Sequence, residues 1–273
     1  MHSLSIVWDP SLGIEVLGFT LRYYSLMFVI AFSLGFYLMK KIFIEDKLPL
    51  EKLDSLFVWV IVSTILGARL GHVFFYDWAY FQNHLLEILL PVKFEPEFHF
   101  TGFRGLASHG AAVGIITALY FYAKNILKKP LLFLIDRLGI MVALAGFFIR
   151  IGNLMNSEII GKATGTAYGF IFVQLGENFP RYPTQLYEAF GYLGIFFLLW
   201  YLYWKTDLKQ KQGFLFGLFF ALLWTVRFVV EFFKEAQIED RAAWSLNTGQ
   251  WLSIPLVLIG VGCMIYAQKS TSK

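Results

Sequence analysis

The amino-acid sequence predicts an all-α membrane protein with about seven transmembrane helices. Of its 273 residues, 58% are hydrophobic and 15% are charged, whereas soluble domains are about half apolar and about one quarter charged. Apolar runs of roughly 20 residues, the length that crosses a bilayer core as a helix, recur along the chain. Because backbone polar groups inside lipid must bond within their own segment, we expect each run to be a helix.

Seven runs meet this criterion, and polar or basic residues flank each of them. The predicted spans cover residues 21–39, 53–75, 102–123, 131 into 148–161, 185–204, 213–233 and 250–267. We expect them to form a single transmembrane domain over the whole chain, residues 1–273. Three longer and more polar segments connect spans on one side of the membrane, around residues 77–100, 161–183 and 235–249.

Lysine residues determine the predicted orientation. They concentrate in the connections and the tail opposite those three segments: Lys40, Lys41, Lys47, Lys52, Lys124, Lys128, Lys129, Lys205, Lys209, Lys211, Lys269 and Lys273. Cytoplasmic loops are the ones enriched in Lys and Arg. We therefore expect the C-terminus in the cytoplasm, and the N-terminus and the three polar segments outside.

Composition also excludes several classes of protein. The net charge of +4 is no nucleic-acid signature, because topology already accounts for most of the lysines. Cys263 is the only cysteine, which excludes a disulfide framework and a cysteine zinc site. His72, His84, His99 and His109 lack an established ligand spacing, so we expect neither a metal nor another cofactor.

The most polar interruption of the apolar pattern lies at the end of the fourth span. Arg150, Asn153 and Asn156 follow one another at three-residue spacing, so they would share one side of a helix, and Glu158 comes next. A charge at the centre of a membrane helix costs roughly 2.5–3.5 kcal/mol on insertion scales, so it usually faces a polar cavity and a partner. A guanidinium with amides suits an anionic lipid headgroup. The alternative is a buried polar network that only joins helices.

Four further ionisable side chains interrupt predicted spans. Arg227 and Glu231 are spaced i, i+4, so they can form a structural ion pair; alternatively, Arg227 joins the anion site and Glu231 holds it in place. His109, among small residues of the third span, is either a packing residue or a general base, a role that suits imidazole near neutral pH. For Arg69, a structural role in joining helices and a functional role are equally favoured.

Two positions at the mouths of spans are also ambiguous. Thr184 and Glu188 lie close to the start of the fifth span, where proline is tolerated and the positive end of the helix dipole favours an acid. We therefore favour capping over a direct catalytic role for them. Tyr24, at the start of the first span, is either an interfacial aromatic residue or an active-site hydroxyl.

Five motifs, in this order, resemble the bacterial prolipoprotein diacylglyceryl transferase family. They are His109-Gly110, RIGNLMNSE (150–158), PRYPTQLYE (180–188), RFVVEFF (227–233) and GQWLSIP (249–255). Each motif alone is weak, but five in order on seven spans are highly specific. The resemblance extends from Tyr24 to Pro255.

The resemblance implies an enzyme of the bacterial inner membrane. Its family transfers the diacylglyceryl group of phosphatidylglycerol to the lipobox cysteine thiol of a prolipoprotein, which forms a thioether and releases glycerol 1-phosphate. This is the first step of lipoprotein maturation, and the implied partners are phosphatidylglycerol, the lipobox segment and membrane lipids. The implied catalytic residues are His109, Arg150 and Arg227. The implied substrate-binding residues are Tyr24, Asn153, Asn156, Glu158, Gly161 and Glu231.

A mechanism follows as a hypothesis. His109 would accept the proton of the substrate thiol, directly or through water, because an ordinary thiol pKa of about 8.5 leaves little thiolate at neutral pH. The alternative base is an acidic residue, Glu158 or Glu231. Arg150 and Arg227 would stabilise the charge that grows on the departing phosphate. Two other classes stay open at this point, namely an anion transporter or channel, and a scaffold whose polar residues only join helices.

Overall fold

The computed structural model describes residues 4–16, 19–90, 92–94, 97–100, 105–235 and 246–270. The described chain is mostly helical, and seven of its helices are long and apolar enough to cross a membrane. This confirms the predicted all-α class with seven spans. The first residues of the predicted third span and most of the polar segment 235–249 lie outside the described residues.

The helices follow the predicted spans closely. In chain order they are α1 (Tyr23–Glu45), α2 (Leu50–Tyr76), the short α3 (Trp78–Phe81), α4 (Ser108–Phe121), α5 (Leu131–Met155), α6 (Thr184–Lys205), α7 (Phe214–Val230) and α8 (Thr248–Ser270). A π-helix over Tyr122–Leu127 continues α4, and a 3₁₀ turn over Glu231–Phe233 ends α7. Helix α1 continues past the predicted end of the first span, residue 39, through Lys40 and Lys41 to Glu45. Lysine side chains are compatible with this extension, since they can reach the membrane interface from within a helix.

Short strands, which the all-α prediction did not include, lie in the segment before α1 and in the connections between helices. They are β1 (Ile6–Trp8), β2 (Gly13–Val16), β3 (Phe19–Arg22), β4 (Val92–Lys93), β5 (His99–Phe100) and β6 (Phe170–Phe172). β1 pairs with β6 in parallel, whereas β2–β3 and β4–β5 are antiparallel. Strands this short show too little alternation for the sequence to indicate them. The Trp8 indole of β1 also donates to the Leu154 carbonyl oxygen, at 2.9 Å, near the end of α5.

The described chain forms two compact units, residues 40–134 and residues 1–39 with 135–273. The single transmembrane domain expected from the sequence stays a prediction. In the unit of residues 40–134, α2 and α4 pack through glycines. A Cβ atom on Gly110 would lie 2.3 Å from the Gly67 carbonyl oxygen and 2.6 Å from Gly71 Cα. The two helices therefore meet backbone to backbone, as small residues allow in membranes.

Arg69 joins the end of α2 to the connection that follows it. Its Nε donates to the carbonyl oxygen of Ile88 at 2.8 Å, and its Nη2 donates to that of Glu87 at 2.6 Å. The guanidinium also lies 4.6 Å from the ring centroid of Phe81, and Arg69 is only 7% exposed. These contacts support a structural role for Arg69, within its own unit.

Glu87 completes this connection with its buried side chain. Burial alone would raise the pKa of Glu87, but hydrogen bonds from the Phe94 backbone N–H, at 2.9 Å, and the Tyr80 hydroxyl, at 2.7 Å, outweigh it. The pKa therefore lies below its ordinary value. Leu85 and Leu86 are exposed on the same turn, as suits a segment at the membrane interface.

In the other unit, α7 packs against both α6 and α8. A Cβ atom on Gly191 of α6 would lie 2.7 Å from a methyl group of Val226 on α7. On the opposite side, a Cβ atom on Gly260 of α8 would lie 2.6 Å from the Ala221 backbone nitrogen. Close packing of α7 against α6 sets the separation of the polar side chains that these helices carry at their ends.

Asp136 fixes the other end of α7. This buried carboxylate of α5 accepts hydrogen bonds from the backbone N–H groups of Gly213 and Phe216, both at 2.7 Å. It thereby satisfies donors that the first turn of a helix leaves without an intrahelical partner. Helices α5 and α7 are thus bonded to each other at the end that carries the lysine-rich connections.

Replacing Arg69 by leucine should release the connection from α2. The variant keeps apolar bulk but leaves the carbonyl oxygens of Glu87 and Ile88 without a charged donor, a bond typically worth about 1.5–3 kcal/mol. We expect faster amide hydrogen exchange over residues 85–90, with the spanning helices unchanged. Gln82→Ala, which removes one exposed amide, is the control. Equal exchange in the two variants would contradict the structural role.

Acid should loosen the same connection. Because the pKa of Glu87 is lowered, its stabilising contribution is complete above the ordinary value of 4.5 and is lost as the pH falls through the lower folded value. Hydrogen exchange measured from about pH 6 to about pH 3, corrected for intrinsic rates, should show this loss over residues 85–90. Glu87→Gln should abolish the pH dependence, whereas the exposed control Glu97→Gln should keep it.

Candidate active site

The chain turns sharply where α5 ends, and this turn presents Glu158. Ser157 and Ile159 have φ angles of 53° and 57°, a conformation that costs a non-glycine residue about 1–3 kcal/mol. Two side chains at the start of α6 hold the turn. Gln185 Nε2 donates to the Glu158 carbonyl oxygen at 2.7 Å, and the Thr184 hydroxyl donates to that of Ile159 at 3.0 Å. Strain of this kind is concentrated at functional sites.

Two asparagines connect Arg150 to Glu158. Arg150 Nη1 donates to Asn153 Oδ1 at 3.1 Å, and Asn153 Nδ2 donates to Glu158 Oε2 at 3.2 Å. Asn156 Nδ2 donates to the other carboxylate oxygen at 3.1 Å. The spacing of these residues therefore brings them together on one side of α5 and its end, as predicted. Glu158 is exposed, so it forms the rim of the group.

Tyr24, in the first turn of α1, belongs to the same group. Its side chain lies within electrostatic range of Asn153, Glu158 and Arg150. Its ring packs on Gly152, where a Cβ atom would lie 2.9 Å from Tyr24 Cδ2. These contacts support the alternative in which the Tyr24 hydroxyl belongs to the active site over the one in which Tyr24 is an interfacial aromatic residue.

Glu188 is the buried carboxylate of the group, with a side chain that is 0% exposed. Its Oε2 lies 2.7 Å from Arg150 Nε, in an ion pair that is not aligned as a hydrogen bond. Its Oε1 accepts a hydrogen bond from Lys234 Nζ at 2.8 Å. A carboxylate buried this deeply is stable as an anion only because it is paired with cations.

The predicted capping role of Thr184 and Glu188 is wrong. Helix α6 begins after Pro183 without a side-chain cap, and Thr184 bonds the preceding turn instead. Glu188 lies beyond the first turn, where the backbone N–H groups already have partners within the helix. Its carboxylate is therefore free to pair with Arg150 and Lys234.

The possible ion pair between Arg227 and Glu231 does not form in the described chain. The α-helix gives way to the 3₁₀ turn at Glu231, and the Glu231 carboxylate lies 3.3 Å from Lys234 Nζ. Gly249 at the start of α8 packs on this carboxylate, since a Cβ atom there would lie 2.6 Å from Glu231 Cδ. Lys234 was not predicted from the sequence. The signal was present, because a lysine three residues after a buried acid can reach back to it.

Arg227 pairs with no described carboxylate, and its buried Nε has no hydrogen-bond partner among the described residues. Its guanidinium lies 5.4 Å from the ring centroid of Trp224. Tyr192 links it to the rest of the group, because the tyrosine side chain lies within electrostatic range of both Arg150 and Arg227. Both predicted arginines therefore border one group.

Buried polar atoms without a described hydrogen-bond partner surround this group. They are Gln185 Oε1, Arg227 Nε and Gln250 Nε2, together with Glu188 Oε2 and Glu231 Oε2, whose described contacts are the ion pairs with Arg150 and Lys234. Buried polar atoms are nearly always bonded, so orphaned ones indicate bound water or a ligand. The set offers donors and acceptors together, as a headgroup with both a phosphate and hydroxyl groups would require.

Gly161 lies where two backbone segments cross. Its N–H donates to the Tyr182 carbonyl oxygen at 3.1 Å, and a Cβ atom on it would lie 2.9 Å from the Phe233 carbonyl oxygen. Arg181 fastens this crossing by donating to the Gly161 carbonyl oxygen at 3.0 Å. Hydrogen bonding to Glu177 raises the pKa of Arg181. Gly161 therefore serves the site by close approach, beside the turn that carries Lys234.

His109 belongs to the unit of residues 40–134, in the first turn of α4, and its side chain is exposed. Its catalytic role stays a prediction. Among the described residues, no group of three or more His, Cys, Asp or Glu side chains is arranged to hold a metal ion.

These features define a multi-pass membrane protein with a buried ionic site at one end of its helices. Residues 12–266 match the sequence model of the family described as prolipoprotein diacylglyceryl transferase. Three relatives carry the name phosphatidylglycerol–prolipoprotein diacylglyceryl transferase. That of Bacteroides fragilis is 39% identical over 272 residues, 98% of each chain. That of Chloroherpeton thalassium is 41% identical over 257 residues, 94% of this chain and 92% of the relative. That of Tolumonas auensis is 39% identical over 265 residues, 97% of this chain and 98% of the relative.

The chain belongs to the prolipoprotein diacylglyceryl transferase family, which confirms the resemblance found in its motifs. It is a transferase and, with its seven apolar helices, a multi-pass protein of the bacterial inner membrane.

A methyl group at Gly249 should disturb the site without unfolding the protein. In Gly249→Ala the new Cβ would push the Glu231 carboxylate away from Lys234, and loss of one charged contact of about 1.4 kcal/mol lowers activity about tenfold. Gly262→Ala on the same helix is the matched control, since nothing lies within 4 Å of its Cβ position. Transferase activity and thermal unfolding should be measured for both. Equal activity of the two variants would contradict the importance of the Glu231 position.

Proposed function

We propose that this protein transfers the diacylglyceryl group of phosphatidylglycerol to the lipobox cysteine thiol of a prolipoprotein. Family membership and the names of the relatives support the reaction. One observation supports this site as its location. Arg227 carries a guanidinium with a buried, unpartnered Nε and no described carboxylate partner, beside the Arg150 group. A buried cation in this condition attracts an anion such as a phosphodiester.

The other orphaned atoms suit the same headgroup. Gln250 Nε2 is a second donor for a phosphate oxygen, on a side chain that bonds Asn247, which in turn donates to the Glu231 carbonyl oxygen. Gln185 Oε1 is an open acceptor for a hydroxyl group of the glycerol headgroup, and the ion-paired Glu188 Oε2 and Glu231 Oε2 keep further lone pairs that can accept another. Phosphatidylglycerol thus supplies the complement of the donors and acceptors that the protein leaves open.

The reaction needs charge stabilisation more than covalent help from the protein. The substrate thiolate attacks C3 of the diacylglyceryl group, a C–S bond forms, and the C–O bond to phosphate breaks. The electron pair of that bond leaves on the phosphate oxygen, so glycerol 1-phosphate gains a negative charge. Arg150 and Arg227 are the groups that would stabilise it. The thiol proton goes to a base, for which we propose His109.

Orientation of the site follows from the lysines of the same unit. Lys205, Lys209, Lys211 and Lys269 lie at the ends of α6 and α8, or in the connection after α6, away from the polar group. By the distribution of basic residues we propose that these ends face the cytoplasm. The polar group then opens to the outer side, where a prolipoprotein presents its lipobox after export.

Arg227→Gln should nearly abolish transfer. Loss of one donor to a developing oxyanion costs about 2.7–4 kcal/mol, or about 10²–10³ in kcat. The measurement is the mass of the thioether product from phosphatidylglycerol vesicles and a lipobox peptide, with a Cys-to-Ser peptide as the blank. Lys162→Gln, which removes an exposed cation outside the polar group, is the matched control. A folded Arg227→Gln variant with normal turnover would reject the role of Arg227, and a wild-type protein that forms no thioether would reject the function.

A further inference from the structure

The buried ion pairs leave the headgroup site with one net positive charge. Three cations border it, Arg150, Arg227 and Lys234, and two buried acids offset them, Glu188 and Glu231. Glu188 is shared between Arg150 and Lys234, and Lys234 is shared between the two acids. Of these three cations, Arg227 is therefore the one with no described carboxylate partner.

The third acid nearby, Glu158, does not change this balance. It is exposed, so solvent screens its charge far more than that of a buried group. The neutral amides of Asn153 and Asn156 hold its carboxylate, and the Asn153 amide bridges it to Arg150.

We propose that Lys234 is a specificity-determining residue whose charge, set against Glu188 and Glu231, fixes the headgroup site at a net +1 and so selects phospholipids with one net negative charge. The inference rests on the proposed function, because it concerns the lipid that the same site binds. Lys234 is 4% exposed and its Nζ is engaged by both acids, so it acts through their charge rather than by touching the lipid.

A net charge of +1 suits both the binding of the substrate lipid and the release of the product. The phosphodiester of phosphatidylglycerol carries one negative charge, whereas phosphatidylethanolamine adds an ammonium group that cancels the charge and would lie close to Arg227. A neutral site would lose this discrimination. A site at +2 would retain the departing glycerol 1-phosphate, a monoester with a charge of about −1.5 to −2 at pH 7. Charge effects of this kind are strong in a buried site of low effective dielectric.

Charge variants separate this proposal from a role in packing. Lys234→Met leaves the site neutral, Glu188→Gln leaves it at +2, and the double variant returns it to +1. Lys234→Arg keeps the charge, and Lys162→Met removes an exposed cation that belongs to no described ion pair with the site acids. A packing role predicts that the double variant is worse than either single variant, whereas a charge role predicts that it recovers.

The first measurement is lipid binding, which needs no turnover. Each purified variant is equilibrated with an equimolar mixture of phosphatidylglycerol and phosphatidylethanolamine, and the bound lipids are counted by native mass spectrometry. We expect the preference for phosphatidylglycerol to fall about tenfold in Lys234→Met, which corresponds to about 1.4 kcal/mol. It should be unchanged in Lys234→Arg and Lys162→Met, and should return in the double variant.

The second measurement is product inhibition of transfer by glycerol 1-phosphate. We expect the inhibition constant to fall about tenfold in Glu188→Gln and to rise about tenfold in Lys234→Met, with recovery in the double variant. Equal preference for phosphatidylglycerol in Lys234→Met and Lys234→Arg would overturn the proposal. If Glu188→Gln does not fold, this comparison of the two Lys234 variants decides alone. If the lipid preference follows the charge of the site but the protein transfers no diacylglyceryl group, the proposed function is rejected and the charge inference stands. If the protein transfers the group but its lipid preference does not change with the charge of the site, the charge inference is rejected and the proposed function stands.

Discussion

The pairing of the buried Glu188 carboxylate with two cations is the interaction on which the rest of the site depends. A carboxylate with no exposure carries a desolvation penalty of several kcal/mol, which is offset only if cations reach it with good geometry. Arg150 comes from α5, and Lys234 from the turn after α7. Glu188 itself lies on α6, so the requirement to pair it makes the ends of three helices converge. The cations that neutralise the buried Glu188 carboxylate thus also form the site for an anion.

The start of α6 also controls the strained turn after α5. Ile159 is β-branched and would not hold a φ of 57° by itself. Thr184 and Gln185 stabilise the turn through its carbonyl oxygens, and Glu188 lies one turn further along the same helix. Helix α6 therefore sets the position of Arg150 through Glu188 and that of the exposed Glu158 through the turn. A shift of α6 would disturb both together, which makes this helix the frame of the site.

Sequence reasoning predicts what depends on periodicity and misses what depends on local breaks in it. The seven spans follow from hydropathy, and the group around Arg150 follows from three-residue spacing. The ion pair that was one alternative for Arg227 and Glu231 does not form, because a 3₁₀ turn replaces the last turn of α7. Lys234 and Glu188 lie at the ends of spans, where a lysine is typical of an interface and an acid is typical of a cap. Their burial is a property of the tertiary structure alone, as is the pairing of Arg69 with backbone carbonyl oxygens.

The two arginines differ in a way that suits different parts of one reaction. Arg150 already has an acid and an amide as partners, so its orientation is fixed before a ligand arrives. A fixed cation stabilises a transition state without reorganisation. Arg227 lacks such partners among the described residues, so its interaction with an anion is not opposed by a competing carboxylate. Only interactions that strengthen as charge moves onto the leaving phosphate accelerate the chemical step. Of the two arginines, Arg227 is better able to strengthen in this way, because no carboxylate among the described residues offsets its charge.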